Sequence, residues 1–371
     1  MTSSVADGVV VVGAGVSGLR VASLLCERGV PCRLLDARAE AGGRATSVVS
    51  RRAGNAVFDL GPTWHWPESQ PRMKRLVAEL RLSAFPQHSL GSVLIERFRL
   101  ERAQEYVVTH APASAAWRLE GGMRSLVEAL LRTLPTGTLQ LEKRVLAIDC
   151  RDPRVAKIEL QAGASGVAEQ LACRGVVLAM PPRVAARLPL QPSLPEPLRL
   201  RFDKTPTWLG AQAKAIAVYQ TPFWRQQGYS GLASSVIGPL QEIHDASPLS
   251  GVGALFGFFG LSPLARRRLK RAELRELVLA QLARLFGEAA RTPLDFIYKD
   301  WAEEPYISSA LDLELPNQYL STAAPLGADE RWHGRLLFAG TEQASEHAGY
   351  LEGALEAAER TAELALHCVS R

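Results

Sequence analysis

The sequence predicts an α/β fold in which a parallel sheet covered on both faces is interleaved with a smaller α+β region, and three observations carry that expectation. Residues 9–12 are an unbroken valine run, as expected of a parallel strand buried on both sides. Gly13-Ala14-Gly15-Val16-Ser17-Gly18 follows at once and opens a helical pattern through Leu19, Ala22, Leu24 and Leu25, after which PCRLLDA forms a second strand closing on Asp36. A second glycine-marked helix start, FAGTEQASEHAGYLEGALEAAER, occupies residues 338–360 near the other end of the 371-residue chain. Two such starts so far apart point to one extended ligand held from both ends.

The first unit sets out a dinucleotide site. Gly13 permits the tight turn, Gly15 lets backbone approach a pyrophosphate, and Gly18 lets helix and strand pack closely. The helix start offers unsatisfied N–H groups and a positive dipole end to phosphates. Asp36 can accept hydrogen bonds from a ribose diol, and its charge repels a 2′-phosphate. Past the acid, AEAGGRATSV adds Gly42, Gly43 and Arg44, a further place for backbone to approach a ligand beside a guanidinium able to grip phosphate bidentately. That second turn is typical of FAD proteins of the glutathione-reductase-like group and not of simple NAD dehydrogenases, so FAD is the expected cofactor.

The bulk numbers narrow the rest. With 47% hydrophobic and 22% charged residues the chain reads as globular and soluble, and its length allows two domains. Its 43 Lys+Arg against 38 Asp+Glu leave a mild +5. The densest basic run, ARRRLKRAELRELVLAQLARLFG, puts Leu274, Leu277, Val278, Leu282 and Leu285 on one helical face. Arg266 to Arg268, Lys270 and Arg271 then form its solvated start, and neither nucleic acid nor a membrane is the expected partner. Cys26, Cys32, Cys150, Cys173 and Cys368 are odd in number and unpaired in spacing, which suits free thiols in a reducing compartment. Seven histidines lack zinc spacing, so no metal is expected. The first strand begins too early for a secretory signal, and no apolar run approaches the roughly 20 residues of a membrane span. A cytoplasmic location follows as the expectation.

Motif after motif, the chain resembles the flavin-containing amine oxidases, the family of monoamine oxidase, polyamine oxidase and L-amino acid oxidase. The stretches that carry the likeness are VVVVGAGVSGLRVASLL, LLDARAEAGGRA, VFDLGPTWHW, LEGGMRSLVEALL, LEKRVLAID, VVLAMPP, WLGAQAKAIAVYQTPFWR, KDWAEEPYISSA and LLFAGTEQASEHAGYLEGALEAAER. The resemblance implies that FAD lies extended, its pyrophosphate at the first glycine-marked helix and its ring at the last. It implies contacts from Gly13, Gly15, Val16, Ser17 and Gly18 to the pyrophosphate region, and from Asp36 and Ala37 to the adenosine side. It places Gly43 and Arg44 at the phosphates, Gly61, Pro62, Thr63 and Trp64 along the flavin, and the backbone of Val145 at the adenine. Gly340 and Glu342 are implied beside the ribityl chain, with Glu342 acting on a hydroxyl or phosphate; Tyr350 and Leu351 are implied at the isoalloxazine, and Trp301 near it. Lys214 matches the lysine that reaches flavin N5 through a water. On residues alone Lys214 shares a strand face with Ile216 and Val218, and reads equally as a strand-edge lysine extending to solvent.

Departures from the family pattern bear on substrate. Ala310 and Leu311 stand where the mitochondrial enzymes carry a flavin-linked cysteine and then a tyrosine, so FAD is expected to be non-covalent and the substrate's aromatic pair is reduced to Tyr350. Trp64, Trp66 and Trp208 are candidates for the missing wall. Pro62 replaces a frequent glycine. His65 and His347 neighbour flavin-facing motifs and have the chemistry to titrate near neutrality, with a structural or surface role expected for each. A long helical substrate-binding segment is missing before LEGGMRSLVEAL. The expected domains are residues 1–82, 118–203 and 302–371 for FAD, and 83–117 plus 204–301 for substrate. The resemblance implies oxidation of an amine to an imine, hydrolysed to a carbonyl, with dioxygen converted to hydrogen peroxide. A flavin dehydrogenase or desaturase acting at C–C bonds and a flavin-bearing interaction protein without turnover are the alternatives. The particular amine and the oligomeric state, a homo-oligomer included, are left open.

Overall fold

In a computed structural model, residues 5–108, 116–163, 166–313 and 325–370 are described. The valine run is the hub of the first of two large sheets. Val5–Val12 pairs in parallel with Cys32–Leu35 on one side and with Val167–Leu178 on the other. Leu139–Gln140 extends the sheet beyond Cys32–Leu35, and Leu336–Phe338 adds a parallel partner to Val167–Leu178. On that side the sheet turns antiparallel through Ala156–Ala162 to Lys143–Asp149. Val9 and Val11 pack into one apolar cluster and Val10 and Val12 into another, so alternate side chains of one run serve the two faces. This is why the run shows no polar alternation.

The helix Val16–Glu27 packs beside the 20-residue helix Leu351–Ser370 over the first of those faces. Arg28, just past the end of the first helix, ion-pairs Glu363 within the last, and Glu352, at the start of the last helix, accepts from the amides of Arg72 and Met73 at 3.1 and 2.8 Å. The two glycine-marked elements are thus one packed pair, although more than three hundred residues separate them.

The second sheet has seven strands in the order Asp295–Asp300, Ala213–Tyr219, Gly253–Phe259, Leu240–Asp245, Tyr229–Ser235, Gly91–Glu96 and Gln104–Val108. One face is covered by the helix Arg271–Phe286. The other packs Ile216, Val218 and Phe256 against Phe58 and Ala53, and so meets the segment that follows the second glycine turn.

Two sequence expectations are corrected here. Leu277 is exposed, and the buried face of its helix runs instead through Leu274, Val278, Leu279, Leu282, Leu285 and Phe286. Arg266 is not part of a solvated start. Its side chain is 1% exposed and holds Asp300 with two bonds of 2.7 Å, with further bonds to the carbonyls of Leu261 and Ala211. A basic run looks uniform in sequence, but the short helix Pro263–Arg267 points one of its members inward. Arg267 and Arg268 remain exposed. Removing one partner of a buried ion pair strands the other, so Arg266→Ala should destabilise the protein by about 3–5 kcal/mol, whereas Arg267→Ala should change stability by no more than about 0.5 kcal/mol. Urea unfolding of the two variants compares them.

Candidate functional site

One cavity of about 1160 Å³ runs from the first glycine turn to the start of the last helix. That exceeds the roughly 300–1,000 Å³ of drug-sized pockets and leaves room for a dinucleotide together with a small substrate. Of the residues expected at a cofactor, Gly13, Gly15, Val16, Ser17, Asp36, Ala37, Gly43, Arg44, Gly61, Pro62, Thr63, Trp64, Val145, Trp301, Gly340, Tyr350 and Leu351 line it. Gly18, Glu342 and Lys214 do not. They stand behind the wall, and each has a structural reason to.

Gly18 faces Gly13, and a Cβ there would collide with the Gly13 carbonyl. Gly13 itself has φ +105° and lies so close to the next strand that a Cβ would come within 2.5 Å of the Ala179 carbonyl oxygen. Gly15, the N-cap of the first helix, has no side-chain cap, and the first turn holds no acid. The helix therefore presents unsatisfied N–H groups to the cavity, and the site suits an anion. Asp36 accepts from the Ala14 amide at 2.7 Å through one oxygen and from the Arg38 amide at 2.9 Å through the other. These bonds fix its carboxylate at the wall while lone pairs remain for a ligand.

Arg44 lines the cavity, but its fork grips Glu342, with Nη1 and Nη2 at 2.6 and 3.1 Å from the two carboxylate oxygens. Nη1 also donates to the Trp208 carbonyl. The expected bidentate hold on phosphate is thus taken up by a protein carboxylate whose side chain is fully buried. Glu342, expected at a hydroxyl or phosphate, accepts from Arg44 and, at 3.4 Å, from the Trp208 amide.

Lys214 does not reach solvent. Its ammonium is buried, donates to Thr63 Oγ1 at 2.7 Å and to the Gly61 carbonyl at 3.2 Å, and sits 4.0 Å over the Phe256 ring. Burial and the neighbouring Arg118 lower its pKa to about 7, against the pull of buried Asp59. Asp59 is fixed by Ser47 and the Met123 amide at 2.7 Å each, and burial raises its pKa. Sequence reading passed over Asp59, although it stands in the FDLGPTWHW motif.

The sheet register sets a row across the cavity wall. Lys214 pairs with Phe258, and Phe258 with Glu242; one step along, Ile216 pairs with Phe256 and Phe256 with His244. Phe258, Gln241 and Glu242 line the cavity, and among the described residues Asp36 and Glu242 are its acidic members. Nε2 of His244 lies 2.6 Å from Glu242, a bond that holds the Glu242 carboxyl below its ordinary pKa. His244 stacks on Phe256 and meets Trp64 edge-on at 4.6 Å. No sequence signal singled out Glu242, since its facing depends on register alone.

Around Tyr350 stand Trp208, at 5.6 Å between ring centres and 32° between planes, and Trp66, edge-on at 6.2 Å. Trp64 faces Trp66, at 6.3 Å between ring centres, and Phe256, at 5.3 Å. Trp301 anchors its indole N–H on the Leu60 carbonyl at 3.0 Å. His65 is buried, and burial lowers its pKa to about 4, so it is neutral at pH 7 and does not titrate near neutrality. His347 lies edge-on to Tyr350 at 6.4 Å.

Comparison with known proteins completes the description. The model of the family described as flavin containing amine oxidoreductase matches residues 103–366, and that of an NAD(P)-binding Rossmann-like domain matches residues 11–80. The chain is 24% identical to flavin-containing amine oxidase A of Canis lupus familiaris, over 98% of this chain and 85% of that protein. It is 32% identical to a probable flavin-containing monoamine oxidase A of Dictyostelium discoideum, over 66% of this chain and 52% of that one. Among solved structures, putrescine oxidase bound to putrescine superposes with a TM-score of 0.78 at 20% identity, covering 98% of this chain and 99% of the other. Cyclohexylamine oxidase from Brevibacterium oxydans IH-35A gives 0.79 at 18% identity, with the same coverage.

Glu342→Gln should leave the Arg44 guanidinium without its charge partner and cost about 1.5–3 kcal/mol in urea unfolding. Glu346→Gln, on an exposed side chain four residues on, should be neutral.

Proposed function

The chain belongs to the flavin-containing amine oxidoreductase family, and we propose that, as an FAD-dependent amine oxidase, it acts on an amine carrying a second cationic group, with FAD held non-covalently and dioxygen as electron acceptor. The observation that carries the substrate reading is the row Lys214–Phe258–Glu242. It sets one carboxylate on the cavity wall at the end where Trp64, Trp66, Trp208 and Tyr350 gather. A primary ammonium or guanidinium at Glu242 leaves the rest of the molecule to lie against the aromatic rings. The solved neighbour that holds putrescine, a diamine, is in keeping with this reading.

In this reading the uncapped first helix and the backbone of Gly13, Gly15 and Gly43 hold the diphosphate, Asp36 the ribose, and Val145 the adenine. Gly61 to Trp64 and Tyr350–Leu351 hold the ring, and Gly340 the chain between. No cysteine lines the cavity, which supports non-covalent binding, and five free thiols accord with a cytoplasmic setting. Bound FAD supplies the acceptor for the hydride equivalent leaving the carbon next to the amine nitrogen. The chain's part is to orient that carbon, exclude water and place charge. Trp208 and Trp66 flank Tyr350 and confine the substrate. Lys214, poised near pH 7, holds or releases a proton at Nζ behind Thr63 and Gly61. The neutral amine that forms as pH rises through about 7 can accept a hydrogen bond from water. The overall change is amine, dioxygen and water to carbonyl, released ammonia or smaller amine, and hydrogen peroxide.

A peroxide-coupled screen of the purified yellow protein tests the reading, with diamines and polyamines expected to outrank monoamines of equal length. Peroxide from monoamines alone would remove the role given to Glu242. Glu242→Gln should raise KM for a diamine about tenfold and leave that for a monoamine unchanged.

Lys214→Met should keep FAD bound, by its visible absorbance, while peroxide-forming turnover falls about 10²-fold. In the unmodified protein the turnover profile should bend near pH 7. Asp59→Asn removes a negative charge that raises the Lys214 pKa, so the bend should move to lower pH. A bend that stays in place would show that Lys214 does not produce it.

A further inference from the structure

Two turns lie side by side at one end of the second sheet and serve nothing described above. Tyr229–Ser235 runs parallel to Gly91–Glu96, with Ser235 opposite Glu96, and the Val236 amide donates to the Glu96 carbonyl at 3.1 Å. The turn after Ser235 is thereby locked against the turn that joins Gly91–Glu96 to Gln104–Val108. Glu96 is the rivet. Its buried carboxylate accepts from Ser235 Oγ at 2.6 Å and from Arg284 Nε and Nη2 at 2.5 and 3.1 Å.

What these turns present outward is apolar. Leu100 is 99% exposed, Val236 80% and Phe98 58%. Arg97 and Arg99 are exposed on either side of Phe98, in no ion pair among the described residues, while Arg102 acts on Tyr229 and Glu101 is an exposed acid in the same turn. Three large apolar side chains standing free in water, interleaved with unpaired guanidinium groups, are costly unless something covers them.

We propose that this pair of turns is a peripheral docking site for an anionic lipid surface. A side chain as fully projecting as Leu100 needs no matching socket if it enters a fluid apolar phase, whereas a folded partner would have to supply a pocket for it. The flanking arginines reach phosphate and carboxylate headgroups while their stems follow the apolar tips inward. A second copy of this chain fits less well, because a two-fold contact through these turns brings Arg97 and Arg99 of both copies together. No helix among the described residues is long and apolar enough to cross a membrane, so the attachment is superficial and reversible. The Val236 turn leads through Leu240 into Gln241 and Glu242 of the cavity wall, so docking faces the substrate end of the sheet toward the bilayer.

Co-sedimentation of the FAD-loaded protein with phosphatidylcholine vesicles, with and without phosphatidylserine, tests this. Binding is expected only with phosphatidylserine and should weaken as salt rises. Phe98→Ser with Leu100→Ser should lower the partition coefficient about tenfold or more, and Arg97→Gln with Arg99→Gln should abolish the preference for phosphatidylserine. Both double variants should keep wild-type flavin content and amine turnover in solution. The proposal is overturned if neither vesicle binds, or if binding is the same in both double variants. It is equally overturned if light scattering finds a dimer that Phe98→Ser with Leu100→Ser dissociates, since the turns would then serve self-association.

Discussion

The constraint on which the rest depends is the packing of the first glycine-marked helix beside the last one over a single parallel sheet. Both helices begin at the cavity, one at Gly15 and Val16, the other at Tyr350 and Leu351. Helix starts carry unsatisfied donors and a partial positive charge, so two of them on one cavity favour a ligand with negative charge at its diphosphate and electron density at its head. Both pack over the same face of the sheet, the exposed pair Arg28–Glu363 links them, and Arg72 ties the helix Pro71–Glu79 to Glu352 of the last helix.

Around that frame the protein buries several charges, three of which show how each is matched. Arg44 is matched by Glu342, Arg266 by Asp300, and Lys214 by the Gly61 carbonyl and Thr63 hydroxyl under the influence of Asp59. The first two pairs are bidentate and hold their geometry. Lys214 is different. No carboxylate bonds to it directly, so its neutral acceptors and the ring beneath it do not offset burial and the nearby Arg118, and its pKa falls to about 7. A structural pair and a chemically adjustable group thus differ in whether a carboxylate meets the buried cation directly.

The substrate end shows how a trimmed region can still build a pocket. Between residues 91 and 119 the described residues form the strands Gly91–Glu96, Gln104–Val108 and Trp117–Leu119, and no helix among them supplies a substrate segment. The wall comes instead from the sheet's own face and from tryptophans on separate loops. Trp66 and Trp208 both reach Tyr350, and Glu242 and His244 form a hydrogen-bonded unit on one strand. Aromatic area confines the substrate, and a single carboxylate gives direction to its charge.

The sequence by itself determined the dinucleotide unit, the acid at Asp36, the second glycine turn and the glycine-marked last helix. Each of these is a local pattern, in which backbone conformation and spacing of a few residues already carry the physics. Seventeen of the residues it nominated do line one cavity. Only the tertiary structure decided the partner of Arg44, 298 residues away, the inward turn of Arg266 and the withdrawal of Glu342 and Lys214 behind the wall. It alone brought Glu242 into the row with Phe258 and Lys214, and the Val236 turn against the Arg97 turn. These depend on strand register and on contacts between distant segments, and a one-residue slip of a strand would turn the same side chains to its other face without altering any local motif.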